Sequence, residues 1–189
     1  MALVTVNDST PKGYRMRTTM RLSVLTLALV LAGTTAGRAQ SCAGNPCSVT
    51  NTASVTVGTV LKLSLSSVAT PLTAPDTTAY NAGFQNDLAA LTATVKANRG
   101  WTLSIKSGAA AWTAAGAGAR AAKPAADLQW STSGGAPFTA LTTSDAALGT
   151  AGSGTSGTLR TISYRTLWDY TLDTPGTYSL DVVFTVTAP

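Results

Sequence analysis

The most regular alternation of apolar and polar positions runs near the end of the chain. Tyr178, Leu180, Val182, Phe184 and Val186 fall on one face, and Ser179, Asp181, Thr185 and Thr187 on the other, with Val183 the apolar exception. A period of two marks a half-buried strand, because successive side chains leave opposite faces of the pleat. Upstream, Ile162, Tyr164, Leu167, Trp168, Tyr170 and Leu172 are mostly of the aromatic and branched types that suit a pleated surface. Asp173-Thr174-Pro175-Gly176 between them is turn chemistry, since Pro fixes φ and Gly supplies the positive φ of a type II turn. The pattern therefore predicts a C-terminal hairpin from Tyr164 to Val186.

Shorter runs of the same kind precede it. Val49 to Val57 alternates with Thr and Ser and reads as a first strand, and Leu61, Leu63 and Leu65 begin a second after Gly58-Thr59. Ser66 to Gly83, with Pro71 and Pro75, reads as a loop. Leu88 to Val95 is a third strand, and Ala97-Asn98-Arg99-Gly100 turns it into a fourth, Trp101 to Ile105, with Asn98 or Gly100 expected at positive φ. Ser107 to Ala126 is rich in Ala and Gly and reads as a long loop with at most a helical turn. Leu128-Gln129-Trp130 and the Phe138 to Leu141 stretch are short strands, and Gly149 to Gly157 reads as a flexible loop. About seven to nine short strands separated by turn signals predict an all-β protein, an antiparallel β-sandwich of immunoglobulin-like or fimbrial-like type.

The beginning of the chain obeys another logic. Arg15, Arg17 and Arg21 precede an apolar run, Leu22 to Leu31, that is too short to cross a bilayer, and Gly37-Arg38-Ala39 offers small residues for cleavage before Gln40. Residues 1–39 are read as a secretory signal peptide with an unusually long polar leader, and residues 40–189 as a single sandwich domain. No stable membrane span is expected after cleavage. The product is placed outside the cytoplasm, in the periplasm, on the cell surface or in the medium.

This division changes the charge balance. Of 13 basic and 8 acidic residues, Lys12, Arg15, Arg17, Arg21, Arg38 and Asp8 fall in the leader, leaving 8 basic against 7 acidic. Nucleic-acid binding, which rests on clustered Lys and Arg, is not expected. Cys42 and Cys47 flank Ala43-Gly44-Asn45-Pro46, and in an oxidising compartment that spacing predicts a local disulfide. With no His and no further Cys, no metal site is expected from them.

Candidate chemistry is sparse. Trp101, Trp130 and Trp168 sit in strand patterns and read as core, whereas Trp112, in an Ala/Gly stretch, reads as a candidate ligand contact. Tyr80 and Phe84, in another loop, either join such a contact or cover an open end of the sandwich. Without His or Glu, acid–base catalysis would fall to residues such as Asp169 and Asp173. No Ser-x-x-Lys nucleophile and no phosphate-binding loop accompanies them. No enzymatic activity and no cofactor is expected.

Trp101-Thr102-Leu103, after Asn98-Arg99-Gly100, resembles the Trp-x-Leu motif of the WxL cell-surface domains of bacteria. Tyr170-Thr171-Leu172-Asp173-Thr174-Pro175 is similar to that family's second motif, with Tyr170 where the family has Trp and Trp168 close by. The strand after Pro175-Gly176-Thr177-Tyr178 equally resembles fimbrial-type and spore-coat-U-type subunits. These resemblances imply a secreted bacterial surface protein, either a structural subunit or an adhesion and wall-binding module. Its partner would be another copy of itself, through strand addition by Val49 to Val57, or a cell-wall glycan. The alternative is a carbohydrate-binding module or an accessory domain of a secreted hydrolase.

Overall fold

The computed structural model describes residues 41–189. The chain divides into two units, with the boundary between Ala53 and Ser54. The expected signal peptide lies outside the described residues. In the first unit Cys42 and Cys47 form the disulfide that their spacing predicts, with Cα atoms 5.7 Å apart.

The second unit is an antiparallel β-sandwich. Its elements are β1 (Leu61–Leu65), α1 (Thr77–Ala82), β2 (Phe84–Ala97), β3 (Trp101–Ser107), β4 (Thr113–Ala115), β5 (Leu128–Ser131), β6 (Thr139–Ala140), β7 (Ala146–Ala151), β8 (Thr155–Leu167), β9 (Thr177–Ser179) and β10 (Val182–Thr187). One sheet runs β1-β2-β8-β5-β6, the other β10-β3-β7, and β4 and β9 form a small ribbon. The short β4, β6 and β9 carry the count above the expected seven to nine. Between the sheets, Leu91, Ala93 and Val95 of β2, Ile162 and Tyr164 of β8, and Leu128 and Trp130 of β5 meet Trp101, Leu103 and Ile105 of β3 and Leu148 of β7. In β3 every second residue is buried, which is the half-buried alternation read from its sequence.

The C-terminal hairpin does not form. β8 pairs with β2 and β5, β10 pairs with β3, and β9 pairs with β4. Residues 168–176 instead carry the chain from one sheet to the other, and Gly176 does not adopt positive φ. Gly176 is needed for room, because a Cβ there would meet Ala119 Cβ at 2.5 Å. Gly176→Ala should lower stability by about 1–3 kcal/mol, readable as a fall in the thermal midpoint. A midpoint equal to wild type would mean that the β9 segment yields freely.

Other expectations also shift. Val49 to Val57 is not a strand. α1 interrupts the loop expected over Ser66 to Gly83: Asp76 caps Ala79 N at 2.8 Å, and Gly83 closes the helix at φ 78°. β2 begins at Phe84 rather than Leu88 and bulges between Asp87 and Leu91, where Ala89 takes φ 51°. Neither Asn98 nor Gly100 has positive φ; Gly100 is required by close approach, a Cβ there meeting Ala151 O at 3.1 Å. The Gly149 to Gly157 loop shrinks to residues 152–154 between β7 and β8.

Candidate functional site

Two features distinguish this sandwich: an unpaired, strand-patterned segment at its start and a polar-aromatic cluster at one end. Every residue from Ser41 to Val60 is exposed, and none of them is in a strand. Val55 is 88% and Val57 75% exposed. Yet Val49, Ala53, Val55 and Val57 occupy one phase of the alternation, and Thr50, Thr52, Ser54 and Thr56 the other. Burying one valine is worth about 1.5 kcal/mol or more, so this face is apolar surface that no described residue covers.

The segment is fixed at its downstream end. Asn98 Nδ2 donates to Gly58 O at 2.7 Å, Val60 N donates to Asn98 Oδ1 at 2.9 Å, and Asn98 N donates to Val60 O at 3.2 Å. Asn98 lies in the turn that joins β2 to β3, so the turn residues serve as an anchor. Beyond it, β10 ends its sheet with one backbone edge that pairs with no strand among the described residues. Its core-facing residues Val182, Phe184 and Val186 are only half-buried, as are Leu61 and Leu63 of β1, the terminal strand of the opposite sheet. An open backbone edge beside incompletely covered apolar side chains is the receptor geometry for an added strand.

At the cluster, Lys123 is fully buried, and its Nζ donates to Leu167 O at 2.7 Å and to Asp173 Oδ1 at 2.9 Å. Asp127 Oδ2 lies 3.2 Å away, and the Trp168 ring centroid 4.5 Å away. Arg120 reaches Asp173 at 3.0 Å and Asp127 at 3.3 Å, and Asp169 N donates to Asp173 Oδ2 at 2.9 Å. Burial pushes the Asp173 carboxyl up, but hydrogen bonds from Lys123, Arg120 and the Asp169 amide outweigh it and hold the group below the ordinary carboxylate value. A depressed folded-state pKa makes its contribution complete above the unfolded carboxylate range and lost as pH falls through the lower folded value. Acid unfolding of wild type should therefore extend below about pH 4, and Asp173→Asn should flatten that limb of a stability–pH curve. An unchanged acid limb in the variant would remove Asp173 from this role.

Aromatic residues roof this cluster. Tyr80 stacks on Tyr170 with ring centroids 4.7 Å apart, and Trp168 meets Tyr178 edge-on at 6.1 Å. Tyr80 OH donates to Asp173 O at 3.0 Å. Burial and then the Asp173 charge raise the Tyr80 phenol above its ordinary value, so it remains a donor. Tyr178 OH donates to Thr174 O and accepts from Arg120 N, which ties the crossing segment to the stretch before β5.

The residues singled out from sequence are distributed unevenly. Trp112 is no surface contact; it is 7% exposed and belongs to the core, because β4 and the bridge between Ala111 and Pro124 fold its stretch inward. Tyr80 is half-buried under Tyr170, and Phe84 lies half-buried on the outer face of the five-stranded sheet. Trp101 and Leu103 point into the core, whereas Tyr170 and Leu172 are exposed and Pro175 sits in the exposed crossing. Asp169 and Asp173, the pair considered for acid–base work, are both held ionised: Asp169 Oδ1 accepts from Thr171 Oγ1 and Thr171 N at 2.6 and 2.7 Å. Neither has a proton to give at neutral pH. Lys123, Arg120 and Asp127 escaped the sequence reading, since single charges in an Ala/Gly stretch carry no spacing that announces a buried pair. Among the described residues no group of three or more Cys, Asp, His or Glu is placed to hold a metal ion, and no helix is long and apolar enough to cross a membrane.

The fold and the unpaired segment define the chain as an all-β, antiparallel sandwich with an open sheet edge. No family model and no curated protein matches it.

Proposed function

We propose that this chain is a non-enzymatic structural subunit of a bacterial surface, exported and then assembled by strand addition. The observation that carries the reading is the Val49 to Val57 segment, which has a strand's alternation but, among the described residues, none of a strand's pairing. Laid along the free edge of β10 in a second copy, it would exchange backbone hydrogen bonds with that edge. Its valines would cover Val182, Phe184 and Val186. The affinity would come from the backbone ladder, and the register from the single apolar phase.

Light scattering on residues 40–189 over a wide concentration range tests this. Assemblies that grow with concentration are expected, and they should vanish when residues 40–57 are deleted. Val55→Asp with Val57→Asp should also abolish growth while leaving the thermal midpoint of the monomer unchanged, because both side chains are exposed. A constant monomer mass for wild type would reject the subunit reading.

A wall-binding or carbohydrate-binding module is the second reading. It is favoured by Tyr170, which is 60% exposed and backed by the Tyr80 ring, a platform of the kind that stacks on sugar rings. Co-sedimentation with purified cell walls, lost in Tyr170→Ala, distinguishes it from assembly.

A further inference from the structure

Outside the cluster just described, the outer face of the five-stranded sheet holds a cation without a counter-ion. Ile162, Tyr164 and Thr166 of β8 point into the core, so Arg165 points the other way. Its register partners are Asn86 on β2 and Gln129 on β5, which places three polar side chains side by side across the central strands. The Arg165 guanidinium carbon lies 4.1 Å from the Phe84 ring centroid and 4.2 Å from that of Phe138. These rings approach from opposite sides of β8, one from β2 and the other from the residue before β6. Nε donates to Asn86 Oδ1 at 2.8 Å. That is its one hydrogen bond to the described residues, and no carboxylate among them lies within ion-pair distance.

The contrast with Arg120 and Lys123 is instructive. Those two cations are matched by Asp173 and Asp127, whereas Arg165 is oriented by two rings and one amide, and its Nη atoms have no acceptor among the described residues. A guanidinium fixed in this way has already given up the rotamer freedom that binding would cost, and its Nη edge matches a planar carboxylate in two parallel hydrogen bonds. We propose that Arg165, with Asn86 and Gln129, forms a binding site for the carboxylate of an acidic polysaccharide, a uronic acid unit. The amides of Asn86 and Gln129 flank the guanidinium where ring hydroxyls adjacent to a carboxylate would lie. Near-balanced charge after the leader, 8 basic against 7 acidic residues, gives the chain no bulk attraction for a polyanion, so binding must be local. The inference does not depend on strand addition.

Affinity electrophoresis of residues 40–189 through gels containing polygalacturonate tests it, with neutral dextran and poly-glutamate gels alongside. Retardation by polygalacturonate alone is expected, and Arg165→Lys should weaken it about tenfold or more, because an ammonium keeps the charge but loses the planar fork. Gln129→Ala, which leaves the Phe84–Arg165–Phe138 contact in place, should weaken it by a smaller factor. Equal thermal midpoints would show that each variant is folded. Absence of retardation for wild type, equal retardation for Arg165→Lys, or equal retardation by poly-glutamate would each overturn the proposal. Assembly size by light scattering should be the same for Arg165→Lys and wild type, so failure here and failure of the subunit reading are separately visible.

Discussion

Asp173→Ala is expected to destabilise the domain by about 3 kcal/mol, at the low end of the range for breaking a buried ion pair. The cost comes chiefly from what remains. Lys123, fully buried, would keep Leu167 O, the Trp168 ring and Asp127 at 3.2 Å, but lose its closest carboxylate. Asp127 is partly exposed and softens the loss, which is why the low end applies. The Asp169 amide and Arg120 would lose an acceptor at the same time. Asp127→Ala, by contrast, should cost about 1 kcal/mol or less, since its partners keep Asp173. Urea unfolding of the two variants measures the difference. Replacing both members of the core pair, as Lys123→Met with Asp173→Leu, should recover much of the loss, because an apolar pair of similar volume leaves no charge stranded. Equal stabilities for Asp173→Ala and wild type would reduce the cluster to a decoration.

Trp101→Ala should be at least as damaging, about 3–5 kcal/mol. Trp101 is 1% exposed and packs in the sandwich core with Leu103 and Ile105 of its own strand. β3 is held by ladders on both sides, to β10 and to β7, so its backbone cannot close over the void. Trp101→Phe should cost less, as part of the volume is retained. The measurement has a functional edge. Trp101 and Leu103 carry the resemblance to the WxL domains, and both side chains are interior. A wall-binding defect in Trp101→Ala would thus report a damaged fold unless unfolding curves show otherwise, whereas Tyr170 and Leu172, exposed in the second motif, can be probed without that ambiguity.

The sandwich was legible because its central strands obey local rules. In β3 the sequence Trp-Thr-Leu-Ser-Ile alternates without fault, and the structure buries it in the same phase. β10 was legible in part: Val182, Phe184 and Val186 keep the expected phase, but the one strand expected from Tyr178 to Val186 breaks at Leu180–Asp181 into β9 and β10, which pair with β4 and β3 respectively. The pairing was not, since alternation says which face is buried and nothing about which strand lies alongside. Tyr164 and Val182 sit close in sequence with a turn between them, and the hairpin is the shortest connection, yet the chain crosses from one sheet to the other. The buried pair beneath Trp168 holds the crossing segment in place: Asp173, placed in a turn from sequence, is bound in the interior by Lys123, fifty residues away. Trp112 failed for a related reason. Its neighbours are small and flexible, and the contacts that bury it come from residues distant in sequence. The arm posed the opposite problem, because Val49 to Val57 reads as a strand by every local criterion, and only the structure reveals that it pairs with no strand among the described residues.

The Asn98 anchor has a mechanical meaning. In the proposed filament, with subunits joined arm to edge, tension pulling on one arm would enter the domain at Gly58–Val60, where Asn98 makes three hydrogen bonds. Asn98 belongs to the turn between β2 and β3, and these strands lie in different sheets. The pull is therefore divided at its point of entry: part passes down β2 into the β8 ladder, and part down β3 into β10 and β7. The backbone also carries the pull into β1, the edge strand that follows Val60 directly, so the Asn98 bonds share a load that would otherwise fall on the β1–β2 ladder alone. A subunit wired in this way would resist stretching through β2 and β3, both interior strands of their sheets, and Asn98→Ala should lower the force at which a filament yields while leaving the resting stability of an isolated subunit nearly unchanged.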